Sequence, residues 1–145
     1  MSEIPNCFYR ISIKALVLDD EKRFLLVKEN NGFWELPGGG LDFNETPQRC
    51  LAREIKEEMG LAIVSTKQQP VYFLTVLPSH ERYWIGNVLY ETRLKDFNFQ
   101  PSDECVELRF FTKEEAGKEN LHPNVKEFIK MYQPGNHQVE KDSWK

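Results

Sequence analysis

Three cysteines in 145 residues, Cys7, Cys50 and Cys105, lie far apart, with neither disulfide-framework spacing nor that of a metal knuckle. They read as ordinary thiols in a reducing compartment, which points to the cytoplasm. Long apolar runs are also missing, so no segment is suited to spanning a membrane. The stretch from Met1 to Ile11 lacks the cationic start and apolar middle of a secretion signal. There is no basic run, and the formal net charge is −4, which argues against a nucleic-acid backbone as the main partner. No repeat or internal linker breaks the chain. What remains is one domain by size, long enough to bury a proper core.

Local patterns supply the elements. Phe8 to Leu18 alternates as a strand, and Asp19-Asp20-Glu21-Lys22 turns into a second strand, Arg23 to Lys28. Further strands are expected at Val71 to Leu77, Tyr83 to Thr92 and near Glu107 to Phe111, with Pro78-Ser79-His80-Glu81 as a hairpin loop. Helices are expected at Pro47 to Met59, Lys113 to Ala116 and Asn124 to Tyr132. Asn124 and Glu127 have the spacing of a capping box. The domain is read as 1–132, followed by a polar tail, 133–145, that suggests a loose end. Strands with helices on both faces make an α/β layered architecture.

The most informative segment runs from Gly39 to Leu61, GGLDFNETPQRCLAREIKEEMGL. Thr46 is a good N-cap, Pro47 suits the first helical position, and Gly60 supplies a left-handed stop. Leu51, Ala52, Ile55 and Met59 form one apolar stripe that would pack on a sheet. Glu54, Glu57 and Glu58 fall three and four residues apart on another face, where like charges repel and invite a compensating cation. Hard oxygen ligands of this kind suit Mg²⁺, with Mn²⁺ as substitute. Arg53 precedes Glu57 by four residues and is placed to orient it. An isolated acidic run is ordinarily a solvated helix face. Here Gly39, Glu45, Arg53 and Gly60 recur at fixed spacing around it, a pattern expected by chance in roughly 10⁻⁷ of chains this long.

Gly39-x5-Glu45-x7-Arg53-Glu54-Ile55-x-Glu57-Glu58-x-Gly60-Leu61 fills every fixed position of the Nudix box, so the chain resembles the Nudix hydrolases, in particular the MutT-like type. The lead-in from Asn31 to Gly40, a short strand ending in a glycine-rich loop, is similar to the family's as well. The resemblance implies a mixed β-sheet sandwiched between helices, and divalent-metal-dependent hydrolysis of a diphosphate bond in a nucleoside diphosphate derivative. Glu54, Glu57, Glu58 and the Gly39 carbonyl would be the ligands, with Glu58 the principal one. Family members often add a loop carboxylate; Glu104 is the best candidate here, with Asp103 and Glu107 as competitors. Glu54, then Glu104, would be the general base. The catalytic group is thus Glu54, Glu57, Glu58, Arg53 and Glu104.

For the nucleotide, Lys28 and the Gly38 loop are candidates to meet phosphate, with an exposed, unpartnered lysine as the alternative for Lys28. Phe33 and Trp34 are candidates to stack on a base, although aromatics beside a strand often belong to the core. Asn124 stands where MutT-like relatives place a base-reading amide, in competition with its reading as an N-cap. Pro78 lies close to the marker proline of the family's ADP-ribose hydrolases, whereas the long N-terminal extension of their swapped dimers is lacking. The expected partner is a small nucleotide, a nucleoside triphosphate or an ADP-ribose-like molecule, bound by a monomer or homodimer. The rival expectation is a catalytically silent Nudix-fold module that senses a nucleotide.

Overall fold

The computed structural model describes residues 3–139. The elements follow in the order β1 (Tyr9–Leu16), β2 (Phe24–Lys28), β3 (Trp34–Glu35), β4 (Gly38–Gly40), α1 (Pro47–Met59), β5 (Ile63–Thr66), β6 (Tyr72–Val76), β7 (Trp84–Leu94), β8 (Glu107–Phe111), α2 (Lys113–Ala116) and α3 (Pro123–Met131). β1 and β7 run parallel, from Tyr9 opposite Trp84 to Leu16 opposite Glu91. β4 pairs with the free edge of β1, while β5 and β6 share the far edge of β7. A second sheet, β3-β2-β8, adjoins the first where Leu18 bridges Phe24. The architecture is a mixed α/β sheet between helices.

Alternation along the strands divides the core in two. Ile13, Ala15 and Val17 of the first strand region pack toward Cys50, Leu51, Ile55 and Met59 of α1. Leu16 and Leu18 point the other way, toward Val125 and Phe128 of α3 and Tyr132 just beyond it. In β2, Leu25 and Val27 join the α1 cluster while Phe24 and Leu26 join the α3 cluster. A strand covered on both faces reads as an unbroken apolar run, which is what Phe24-Leu25-Leu26-Val27 is.

Local chemistry sets α1 as expected. The Thr46 side chain accepts from the Arg49 N–H, Pro47 opens the helix, and Gly60 ends it at φ 69°. The stripe differs at one position: Ala52 is exposed and Cys50 is buried instead. β5 escapes the sequence patterns because only half of it is covered and its pairing with β7 is broken by a register shift.

The helix expected to start at Asn124 starts one residue earlier. Pro123 takes the first helical position, so His122 is the N-cap and Asn124 lies inside the first turn. Nor is the tail loose where it is described. After a 3₁₀ turn at Pro134–Asn136, His137 is 2% exposed, with Nε2 2.7 Å from the Tyr72 hydroxyl, Nδ1 against Glu91, and its ring stacked on Tyr132. Residues 140–145 lie outside the described residues.

Candidate active site

The glycine strand β4 lies against α1, and two positions show why no other residue fits. Gly38 has φ 126°, and a Cβ there would stand 2.1 Å from the Ile13 carbonyl oxygen. Its N–H donates to Glu58 Oε1 at 3.0 Å. A Cβ on Gly39 would stand 2.5 Å from the Glu54 carboxyl carbon, so the missing side chain is the space that Glu54 fills. Two of the three helix carboxylates are therefore held against the loop backbone.

Arg53 fastens the remainder. Its guanidinium donates to both oxygens of Glu45, at 2.6 and 2.9 Å, and also to Glu54 Oε1 at 2.9 Å and the Gly40 carbonyl at 3.1 Å. This fork draws the Glu45 carboxyl down to about 2, chiefly through the hydrogen bond itself. Glu57, the partner expected for Arg53 from spacing, is its more distant one at 3.5 Å and is exposed.

Glu58 does not share that solvated face. It is 5% exposed, and burial raises its carboxyl to about 8, with Glu54 and Glu104 adding to the rise and Lys14 opposing it. Glu104 is exposed on the loop before β8. That loop is pinned to the helix end: the Ser102 hydroxyl donates to the Glu58 carbonyl at 2.8 Å, and the Glu104 N–H to Ser102 Oγ at 3.3 Å. Of the competitors, Glu107 pairs with Arg109 at 2.8 Å, and Asp103 is exposed beside Glu104 with its backbone carbonyl accepting from the Asn30 N–H. The Cys50 and Cys105 thiols are pushed by burial to about 11, as expected for inert cysteines.

As oriented, no three His, Cys, Asp or Glu side chains among the described residues enclose an ion position. The donor set nonetheless fits a hard cation. Glu54 fills a cradle that a Cβ would occupy, and Glu58 is a buried carboxyl crowded by two others. Glu57, turned toward Arg53, is the ligand that would have to swing.

On the nucleotide side the expected residues separate. Trp34 is 1% exposed, set edge-on to Phe111, with Lys28 and Arg109 over its faces and its N–H donating to Glu119 at 3.2 Å. It is a core residue, not a stacking platform. Trp34→Phe should cost about 1–2 kcal/mol in denaturant unfolding and leave base preference unchanged. Phe33 is 41% exposed and edge-on to His122, so it keeps a free surface. Lys28 closes β2 opposite Glu107 and Trp34. Asn124 is buried and donates to Asn87 Oδ1 at 3.3 Å.

Four neighbours were not anticipated. Lys14, buried on β1, donates to the Leu36 and Gly38 carbonyls at 3.3 Å each and lies 3.8 Å from Glu35. His122 hydrogen-bonds Glu29 at 2.7 Å, which raises the imidazole and lowers the carboxyl. Arg10 fills the space beside Gly40 and donates to the Leu41 carbonyl at 2.6 Å. Asn87 is buried in the first half of β7. A signal existed for Lys14 and Asn87: each stands directly before an apolar stretch, Ala15-Leu16-Val17-Leu18 and Val88-Leu89-Tyr90, and polar residues buried in such surroundings are seldom without a use.

The family model described as the NUDIX domain matches residues 8–132. The chain belongs to the Nudix family. It is 28% identical over 118 residues to an RNA pyrophosphohydrolase of Ruthia magnifica, covering 81% of this chain and 63% of the relative. It is 56% identical over 60 residues to an 8-oxo-dGTP diphosphatase of Proteus vulgaris, covering 37% of this chain and 54% of the relative. The chain thus spans less than two thirds of either relative. Among solved structures, a MutT protein from Methanosarcina mazei superposes with a TM-score of 0.75 at 22% identity, over 93% of this chain and all of that one. That likeness is one of fold, and in this Nudix domain the box helix is α1.

Among the described residues no helix is long and apolar enough to cross a membrane.

Proposed function

We propose that this Nudix domain hydrolyses a diphosphate bond in a nucleoside diphosphate derivative. Glu54, Glu57, Glu58 and the Gly39 carbonyl would hold Mg²⁺ or Mn²⁺, with Glu104 reaching in from the loop before β8. The observation that carries this reading is Glu58, a 5% exposed carboxyl raised to about 8 beside the glycine strand. An acid kept there at a cost to stability is more readily explained by a cation it receives than by packing. When bound, the ion supplies the Lewis acidity that phosphoryl chemistry needs.

The chain's own groups do the rest. Glu54, held at Gly39, takes the proton as the water oxygen bonds to phosphorus; Glu104 is the second choice. The bridging P–O bond breaks and its electron pair leaves with the departing phosphate. Arg53 keeps Glu54 and the Glu45 loop in register, as a positioning residue. Lys28 and the Gly38 loop would meet the phosphates, Phe33 would cover the base and Asn124 would face its edge.

The leading substrates are nucleoside triphosphates, oxidised ones included, followed by ADP-ribose-like molecules. The names of the two relatives, a diphosphatase and a pyrophosphohydrolase, support the reaction class. A panel of nucleotide derivatives incubated with Mg²⁺ or Mn²⁺ should release phosphate, pyrophosphate or a nucleoside monophosphate, and a chelator should abolish release. Turnover that survives exhaustive chelation would overturn the metal-dependent reading. A protein that binds nucleotides and cleaves none would be the silent sensor.

A further inference from the structure

Asn87 and Asn124 come from different elements, β7 and α3, and are 1% and 5% exposed. Asn124 Nδ2 donates to Asn87 Oδ1 at 3.3 Å. Asn87 Nδ2 and Asn124 Oδ1 have no partner, and among the described residues they are the two buried side-chain polar atoms in that condition. Both orphans thus fall on one hydrogen-bonded pair. A buried amide atom without a partner is costly, and the cost persists where a ligand can remove it.

The pair belongs to the α3 side of the five-stranded sheet. Asn87 is opposite Ser12 of β1, two residues from Lys14 on the same strand face, about 7 Å along the strand. Lys14 in turn touches the Gly38 carbonyl, and the Gly38 N–H holds Glu58. The amide pair thus lies two strand positions from the lysine that joins β1 to the glycine strand. Both orphan atoms are shielded in the free chain, so a ligand reaches them as the first turn of α3 yields. That turn has no side-chain cap to hold it.

We infer that Asn87 is a specificity-determining residue that works with Asn124 as a reversible reader of the nucleobase edge. The inference rests on the reading of Asn124 as base-facing. If both amides turn over, exchanging oxygen and nitrogen, their mutual hydrogen bond survives with its direction reversed. The orphan donor then moves from β7 to α3, and the orphan acceptor moves the opposite way. In either state the pair presents one donor and one acceptor. A keto base offers an acceptor beside a ring N–H, and an amino base offers an N–H beside a ring acceptor. These are opposite patterns, and a fixed reader would separate them. A pair that turns over accepts both and rejects a base lacking the edge.

Binding tests this independently of turnover. The probes are α,β-methylene analogues of ATP, of GTP and of the triphosphate of unsubstituted purine riboside, titrated calorimetrically with Mg²⁺. The wild-type chain should bind the first two within about threefold of each other and the third at least about tenfold more weakly. Asn87→Leu should lose about tenfold or more for the ATP and GTP analogues and little for the third, a base-dependent loss that destabilisation alone would not give. Adding Asn124→Leu should cost little more, because the two amides act as a unit. Equal loss for all three probes, a wild-type preference above about 30-fold, or no binding at all would overturn the inference. Binding with this pattern but no hydrolysis of natural nucleotides would overturn the proposed reaction alone. Hydrolysis with no base effect of Asn87→Leu would overturn the pair alone.

Discussion

Glu58→Gln should leave the fold intact and reduce turnover by at least about 10²-fold, the scale of losing a metal-organising or acid–base group. The geometry separates these two effects. Glutamine has nearly the same shape, and its side-chain oxygen can still accept from the Gly38 N–H, the contact that Glu58 makes at 3.0 Å. What it lacks is a charge to give a cation. In the absence of metal the charge is a burden, because Glu54 and Glu104 both push against it and burial does so more strongly. The variant should therefore be no less stable than the parent in chelator, and more stable at high pH. A gain in stability with a loss of activity marks a residue kept for chemistry. Steady-state kinetics on the preferred substrate, beside a thermal melt in chelator, gives both readings. Near-normal kcat in the variant would remove Glu58 from the reaction.

The parts of this site that the sequence discloses are the parts built from local contacts. Thr46, Pro47 and Gly60 act within one turn of α1, so the helix from Pro47 to Met59 can be read from its own residues. The burial of Glu58 cannot, since an acidic run looks the same whether it faces water or a neighbouring strand. It takes Gly38, twenty positions earlier, to turn that carboxyl inward. Trp34 fails as a stacking residue for the same reason: Phe111 and Glu119, which fix it in the core, are remote in sequence. Asn124 looked like a cap because Asn and Glu stand three apart, but Pro123 had already claimed the first helical position. β5 is short, half-exposed and irregularly paired, and strands of that kind leave no period to read. Lys14 and Asn87 matter only once β1 and β7 lie side by side.

Without divalent metal, the protein should lose stability as pH rises from about 5 to 8. The Glu58 carboxyl sits at about 8 in the folded chain, against the ordinary glutamate value of 4.5. Between those limits the unfolded chain has released the proton and the native chain still holds it. The unfolded state then binds one proton fewer, so the unfolding free energy falls by about 1.4 kcal/mol per pH unit. Below the lower limit both states are protonated, above the upper both are ionised, and this contribution levels off. His122 acts in the same direction: Glu29 raises its pKa from 6.5, and the stability it adds is lost as pH climbs through the raised value. Glu29 itself, lowered from 4.5, matters only in more acidic solution. Glu58→Gln isolates the first contribution, since it leaves His122 and Glu29 in place. Chemical denaturation in chelator at half-unit pH steps should therefore give a steep fall for the parent and a shallow one for the variant. Saturating Mg²⁺ should flatten the parent curve by making the ionised carboxylate the favoured native form. Parallel curves for parent and variant would mean that Glu58 titrates normally, and the case for a carboxyl held ready for a cation would go with it.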